Sequence, residues 1–352
     1  KDVVLNLELD NGHCMLKAYA SGKYPQTVIK VIKNDEILFS DTADLSPDTY
    51  YEASFNTTLT ELTGCTAVIF DKDQEELVRY TAAPRELEPL PTPAAALPAP
   101  SELKSVEELY LAAAHLEQYR HATFLPEDYY MEGLRRDATD IRLNDGYGIL
   151  LYKQGRFQES IPYFENAIQK QTWKNPNPAS GEAYFHLGLA LTMCGNDEEA
   201  FDAFYKSTWC ADTQSCGFYW LSCLSARKKR CQEALEFIDQ SLIRNWHNMK
   251  ARTLKATLLR VLSRDNGAFI EESLKIDPLD LGLLYEEAIV SGDRECWVKQ
   301  MRTPAHNYLA LSLDYVKAGF YEDAFSILSA YKESSPMVAY YQGYILEKMG
   351  DI

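Results

Sequence analysis

No stretch of this 352-residue chain approaches the ~20 consecutive apolar residues that a membrane-spanning helix needs. Positive charge is also scarce. Lys and Arg number 35 against 52 Asp and Glu, a formal net charge of −17. Duplex DNA and anionic membranes reward clustered cations, so neither fits as the main partner. An acidic surface of this kind keeps a protein soluble. Catalytic signatures are missing too: there is no phosphate loop, dinucleotide fingerprint, HExxH or GxSxG. The chain therefore reads as non-catalytic and calls for no cofactor and no metal. A signal peptide is absent from the start, where the chain begins with Lys1 rather than Met. At the other end, Met337 to Ile352 reads as the first helix of a repeat whose second helix does not follow. The expectation is a piece of a longer protein.

The eight cysteines form no CxxC, which excludes zinc knuckles and thioredoxin-type motifs. Cys14 and Cys65 fall in one expected β region, as two buried thiols or, in a secreted protein, as a bridge. Cys210, Cys216, Cys223 and Cys231 crowd one helical segment at spacings that fit no standard metal site.

What is present divides into three segments. Residues 1–83 alternate with a period of two: Val3, Leu5, Leu7 and Leu9, then Cys14, Leu16, Ala18 and Ala20. Further strand-like runs at 26–33, 36–39, 50–56, 65–70 and 76–81 are separated by Asn11-Gly12, Ser21-Gly22, Asn34-Asp35 and Asp71-Lys72-Asp73. About seven short strands suggest an immunoglobulin-like or fibronectin-III-like sandwich. Asp71 to Glu75 has the opening of a calcium loop, but Glu76 stands where that loop needs glycine, so a hairpin turn is expected. Residues 84–104 carry prolines at 84, 89, 91, 93, 98 and 100, and read as a semi-rigid spacer.

From 105 to 352 the period becomes helical, and one pattern recurs. One copy reads Tyr184, Leu187, Gly188, Leu191, Gly195, Ala200, Phe204. Another reads Asn144, Tyr147, Gly148, Leu151, Gly155, Phe157, Ser160, Phe164, Ala167. Both match 34-residue tetratricopeptide repeats, helix–turn–helix units that stack into a solenoid. Repeats are expected near 107, 141, 181, 215, 248, 279 (degenerate), 305 and, truncated, from 336. Lys170–Ser180 is an insertion.

The first helix of each repeat lines the concave face, with positions 2, 5, 9, 12 and 13 pointing inward. That register selects His115, Gln118 and Tyr119; Arg142, Asp145, Tyr152 and Lys153; Phe185, Leu189 and Met193; Tyr219, Cys223 and Arg227; Arg252 and Arg260; His306 and Lys317. Read alone, this groove is aromatic and basic, suited to an acidic peptide or protein segment with apolar anchors. The alternative is that these residues fill a tight superhelix. Asn at position nine would mark a carboxylate clamp, but His115, Ile149 and Leu189 stand there. His115, Tyr119, Arg120 and His121, with Glu117 nearby, have the chemistry of an acid–base set but no nucleophile or metal spacing, so packing or groove lining is expected.

Three stretches carry a narrower resemblance: His115–Thr123, the Asn175–Pro178 insertion, and Ala203–Trp209. Together they resemble the C-terminal half of large bacterial proteins in which a mutarotase-like supersandwich domain precedes a β-sandwich and a tetratricopeptide array. The resemblance implies a carbohydrate-related role for the full protein, a cytoplasmic bacterial setting, and a partner domain on the same polypeptide that this half would support without catalysing anything. It assigns no catalytic residue here. The expected function is thus a protein- or peptide-binding or scaffolding module, or the accessory half of a carbohydrate-active protein.

Overall fold

A computed structural model describes residues 2–84, 90–93, 95–119 and 121–350. Residues 85–89 and 94 of the expected spacer, and Arg120, lie outside the described residues. The chain forms two compact units, Lys1–Pro93 with Asp277–Leu279, and Ala94–Ile276 with Asp280–Ile352.

The first unit holds seven strands: β1 (Val3–Asp10), β2 (His13–Ala20), β3 (Tyr24–Lys33), β4 (Glu36–Leu45), β5 (Tyr51–Asn56), β6 (Thr66–Phe70) and β7 (Glu76–Thr81). They make two antiparallel sheets, in the orders β1-β2-β5 and β4-β3-β6-β7. Strand β5 leaves β4 to pair with β2, and β6 returns to β3. This exchange closes a two-sheet sandwich. Tight turns set the register. Asn34 and Asp35 both take positive φ between β3 and β4, the geometry whose twist matches a hairpin. Alternate side chains of β2 (Cys14, Leu16, Ala18, Ala20) meet Ile29, Val31, Ala67 and Ile69 in one core. Cys14 and Cys65 are both buried and free. Burial pushes the Cys14 thiol up, and the nearby Cys65 adds to it. Asp71 turns its carboxylate back to accept from the Asp73 and Glu75 amides, capping the β6–β7 hairpin.

The second unit is helical: α1 (Val106–Gln118), α2 (Pro126–Arg136), α3 (Ile141–Lys153), α4 (Phe157–Thr172), α5 (Glu182–Met193), α6 (Asp197–Ser207), α7 (Gln214–Arg227), α8 (Cys231–Arg244), α9 (Met249–Val261), α10 (Gly267–Ile276), α11 (Leu281–Ser291), α12 (Arg294–Met301), α13 (Ala305–Lys317), α14 (Tyr321–Ser329) and α15 (Pro336–Met349). Local sequence sets the starts. Ser105 and Glu108 form a capping box on α1, and the side chains of Asp140, Asn248 and Asp280 cap α3, α9 and α11.

Consecutive helices pair as antiparallel hairpins, and hairpins stack into the solenoid. Packing within a hairpin depends on one small residue. A Cβ on Gly148 would stand 2.5 Å from Phe164, and one on Gly188 2.6 Å from Phe204. In the fourth and seventh repeats serine takes this place, and Ser222 and Ser312 donate to the Ala234 and Ala324 carbonyls across the hairpin.

Candidate functional site

The inner helices of the first three repeats (α1, α3 and α5) share one open face. Its floor is half-buried and apolar: Tyr110, Ile149, Tyr152, Phe185 and Leu189. Met193 stands at its end, 51% exposed. Ion pairs cross from repeat to repeat. Arg142 donates both guanidinium arms to Glu107 and lies 4.9 Å over the Tyr110 ring. Lys153 reaches Glu117 at 2.7 Å, and Tyr130 donates to the same carboxylate at 2.7 Å. His186 Nδ1 meets both Asp145 oxygens, at 2.9 and 3.1 Å. Burial raises the Tyr110 hydroxyl pKa; Arg142 opposes that shift, while Asp145, Glu182 and Glu107 add to it.

The later inner helices (α7, α9, α11 and α13) converge instead of opening. Tyr219, Cys223, Tyr285, Leu311 and Tyr315 belong to one buried cluster that runs from Tyr219 to Ile345. Burial pushes the Cys223 thiol up to about 12. At the centre stands Glu286, 0% exposed. It accepts from Thr257 at 2.7 Å, from Tyr315 at 2.8 Å, and from Arg260 at 2.7 and 3.0 Å. Arg260 also reaches Asp323 at 3.0 Å. Arg227 grips Asp197 at 2.8 and 3.0 Å, then donates to the Lys317 carbonyl, ninety residues on, at 2.9 Å. Lys250 and Lys317 share Asp314.

The residues expected to line one groove therefore divide. Arg142, Asp145, Tyr152, Lys153, Phe185, Leu189 and Met193 come together on the open face. Tyr219, Cys223, Arg227 and Arg260 fill the converged half. Arg252 lines no groove at all. It is 0% exposed and packs between α9 and α10, donating to the Trp246 carbonyl and to Ser273 Oγ, with Trp246 4.0 Å away over its guanidinium. Burial lowers its pKa. It occupies the large position that Tyr184 holds, half-buried, in the third repeat, so the fifth repeat's inward register is one residue later than expected. Thr253, Thr257 and Arg260 point in. The first repeat is displaced the other way. Glu107, Tyr110 and Glu117 meet α3, while the His115 and Tyr119 rings touch each other, tilted, with centroids 4.9 Å apart and both exposed. His121 Nδ1 faces the amides of Thr123 and Phe124, a turn device rather than an acid–base group.

The cations expected to make one basic groove are paired. Arg142 and Lys153 each have a carboxylate partner on the open face, and so do Arg227, Arg260 and Lys317 in the converged half. Sequence reading missed Glu107, Glu182 and His186 on the open face, and named Glu117 only as a neighbour of His115 and His121. The signal was present only as carboxylates one repeat away from each cation.

Comparison with known proteins supports both units. Residues 148–208 match the family model "Tetratricopeptide repeat", and residues 1–80 match "YphG-like protein, second domain". Aspartyl/asparaginyl beta-hydroxylase of Mus musculus is 27% identical over 145 residues, 39% of this chain and 18% of that protein. The Homo sapiens form is 28% identical over the same length and shares. The match thus spans under a fifth of those relatives. Among solved structures, Pseudomonas aeruginosa PilF is 18% identical, covering 53% of this chain and 82% of its own, with a TM-score of 0.46. YrrB, described as a tetratricopeptide protein with an unusual peptide-binding site, is 14% identical over 52% of this chain and 89% of its own, at 0.42. A tetratricopeptide protein of Parabacteroides merdae is 15% identical over 70% and 87%, at 0.43.

Proposed function

We propose, from the premise that the helical unit is a tetratricopeptide array, that its first three repeats hold a segment of a partner protein on their concave face. One observation carries this reading. The inward positions are open in α1, α3 and α5 and buried in the helices that follow. An apolar floor between paired charges suits a segment that inserts aliphatic or aromatic side chains, with rim charges setting orientation more than affinity. Because the cations are already paired, the reading drops a strong preference for acidic partners and places the anchoring on Tyr152, Leu189 and Met193.

Replacing Leu189 and Met193 by Glu tests it. Captures from native lysate with wild-type and L189E/M193E protein are compared by mass spectrometry, with circular dichroism checking the fold. A partner kept by the wild type and lost by the folded variant supports the reading. Equal capture overturns it.

A second reading draws on the match of residues 1–80 to a model described as a second domain. Here the chain is the accessory part of a larger protein, and the solenoid serves a domain of the same polypeptide. The carbohydrate-related role and the cytoplasmic bacterial setting belong to this reading. Glycoside assays on the full-length protein test it, and inactivity there removes its basis.

A further inference from the structure

The last part of the expected spacer is not free: residues 97–104 pack on α2 as a strap. Proline at 98 and 100 removes two backbone donors, and an extended proline-rich segment leaves its carbonyls without partners of its own. Here α2 supplies the donors. Tyr129, 0% exposed, donates its hydroxyl to the Pro98 carbonyl at 2.9 Å. Arg136, half-buried, donates one guanidinium arm to the Leu103 carbonyl at 2.7 Å and the other to the Pro100 carbonyl at 3.1 Å. Its Nε stays on Glu132 at 2.7 Å. Leu97 and Leu103 are half-buried against the cluster that holds Leu109, Tyr129, Tyr130 and Leu143.

The strap runs directly into α1. Glu102 turns back to accept from the Ala99 amide, and Glu108, in the first turn of α1, accepts from the Lys104 and Ser105 amides at 2.8 and 2.9 Å. No α-helix precedes α1 among the described residues. A terminal repeat stacks on one side only and needs a cover on the other. The same helix carries Glu107, Tyr110 and Glu117 to the open face. Arg142 and Lys153 of α3 reach the first and last of these, and Tyr130, next to the strapped Tyr129, holds Glu117 at 2.7 Å.

We infer that residues 97–104 are a displaceable cap on the first repeat, and that docking of this strap regulates the concave face by holding α1 in place. The regulatory half rests on the concave-face reading; the cap does not. With the strap docked, α1 and α2 are covered and Glu107, Tyr110 and Glu117 stand beside α3. With the strap released, the α1–α2 hairpin keeps only its contacts with α3, and the face loses its first wall. The strap can be reached, because Pro98, Ala99, Ser101 and Glu102 are exposed. It is held by side-chain bonds and two half-buried leucines, not by a helix or sheet ladder. Such an anchor opens without unfolding the array behind it.

The test follows amide hydrogen exchange in the whole chain by mass spectrometry. Two variants loosen the strap from opposite sides. Tyr129→Phe/Arg136→Lys removes the paired donors on α2 and keeps the ring and the charge. Leu97→Ser/Leu103→Ser removes the anchors on the strap itself. Each should speed exchange in α1 and α2 at least ~10-fold, while α7 and α13 keep wild-type rates and so report a folded array. The upstream pair Pro91→Ala/Pro93→Ala, exposed and outside the strap, should change nothing. The inference is overturned if either variant leaves α1 and α2 at wild-type rates, or if the upstream pair speeds them equally. Partner capture then separates the two readings. A partner lost by L189E/M193E should also be captured less by both strap variants. Full capture by them overturns the regulation and leaves the concave face standing. A partner kept by L189E/M193E removes the concave-face reading and the regulation with it, while the exchange rates still decide the cap.

Discussion

The first three repeats and the four helix pairs after them use the same inward positions for opposite ends. In α3 and α5 those positions hold Tyr152 and Leu189, half-buried, and Lys153 and Met193, exposed. In α7 the equivalent residues are Tyr219, Cys223 and Arg227, which are buried or braced against α13. Fold type alone does not decide whether a repeat array offers a groove. What decides it is whether the inner helices carry polar groups that find each other. Thr257, Arg260, Glu286, Tyr315 and Asp323 do so in the later repeats. In the earlier ones the pairs run along neighbouring helices and leave the face free.

The largest expected effect breaks the closed half. Glu286→Ala removes the acceptor of the buried Thr257 and Tyr315 hydroxyls and leaves the half-buried Arg260 with one carboxylate, so urea unfolding should show a loss of about 3–5 kcal/mol. An unchanged midpoint would mean that closure rests on apolar packing alone. Next comes Gly188→Ala, which drives a methyl into Phe204 inside the open half and should cost about 1–3 kcal/mol by the same measurement. Lys153→Ala breaks an ion pair on the open face; thermal melting should register only about 0.2–1 kcal/mol. A loss as large as that at Glu286 would erase the distinction between the halves.

The smallest effect is a pH response. Arg135 and Arg136 hold the Glu132 carboxyl down to about 2. A carboxylate with a lowered folded pKa binds fewer protons when folded. Its contribution is therefore present above the unfolded value near ~4.3 and is lost as pH falls towards 2. Acid unfolding of Glu132→Gln should be flatter than wild type across that window.

Much of this was legible in the sequence. The alternation of Cys14, Leu16, Ala18 and Ala20 marked a sandwich strand, and Gly148 and Gly188 marked the close helix contacts. Both follow local rules. The site was less legible, for two physical reasons. Charge normally signals surface, so Arg252 read as groove lining; a buried arginine held by Trp246 and a serine breaks that expectation. Partners also lie far away in sequence. Arg142 and Glu107 are 35 residues apart and Arg227 and Asp197 are 30, so no local window shows that the cations are neutralised.

The Arg227 bridge has a consequence for how the array folds. A simple solenoid unravels repeat by repeat from its ends, because each unit touches only its neighbours. A bond spanning 90 residues, backed by a core that reaches from Tyr219 to Ile345, couples the fourth repeat to the last ones. That half must then form late and open as one piece, since loop closure comes before the contacts that reward it. Amide exchange in α7 and α13 should share one opening free energy, while α1 frays independently.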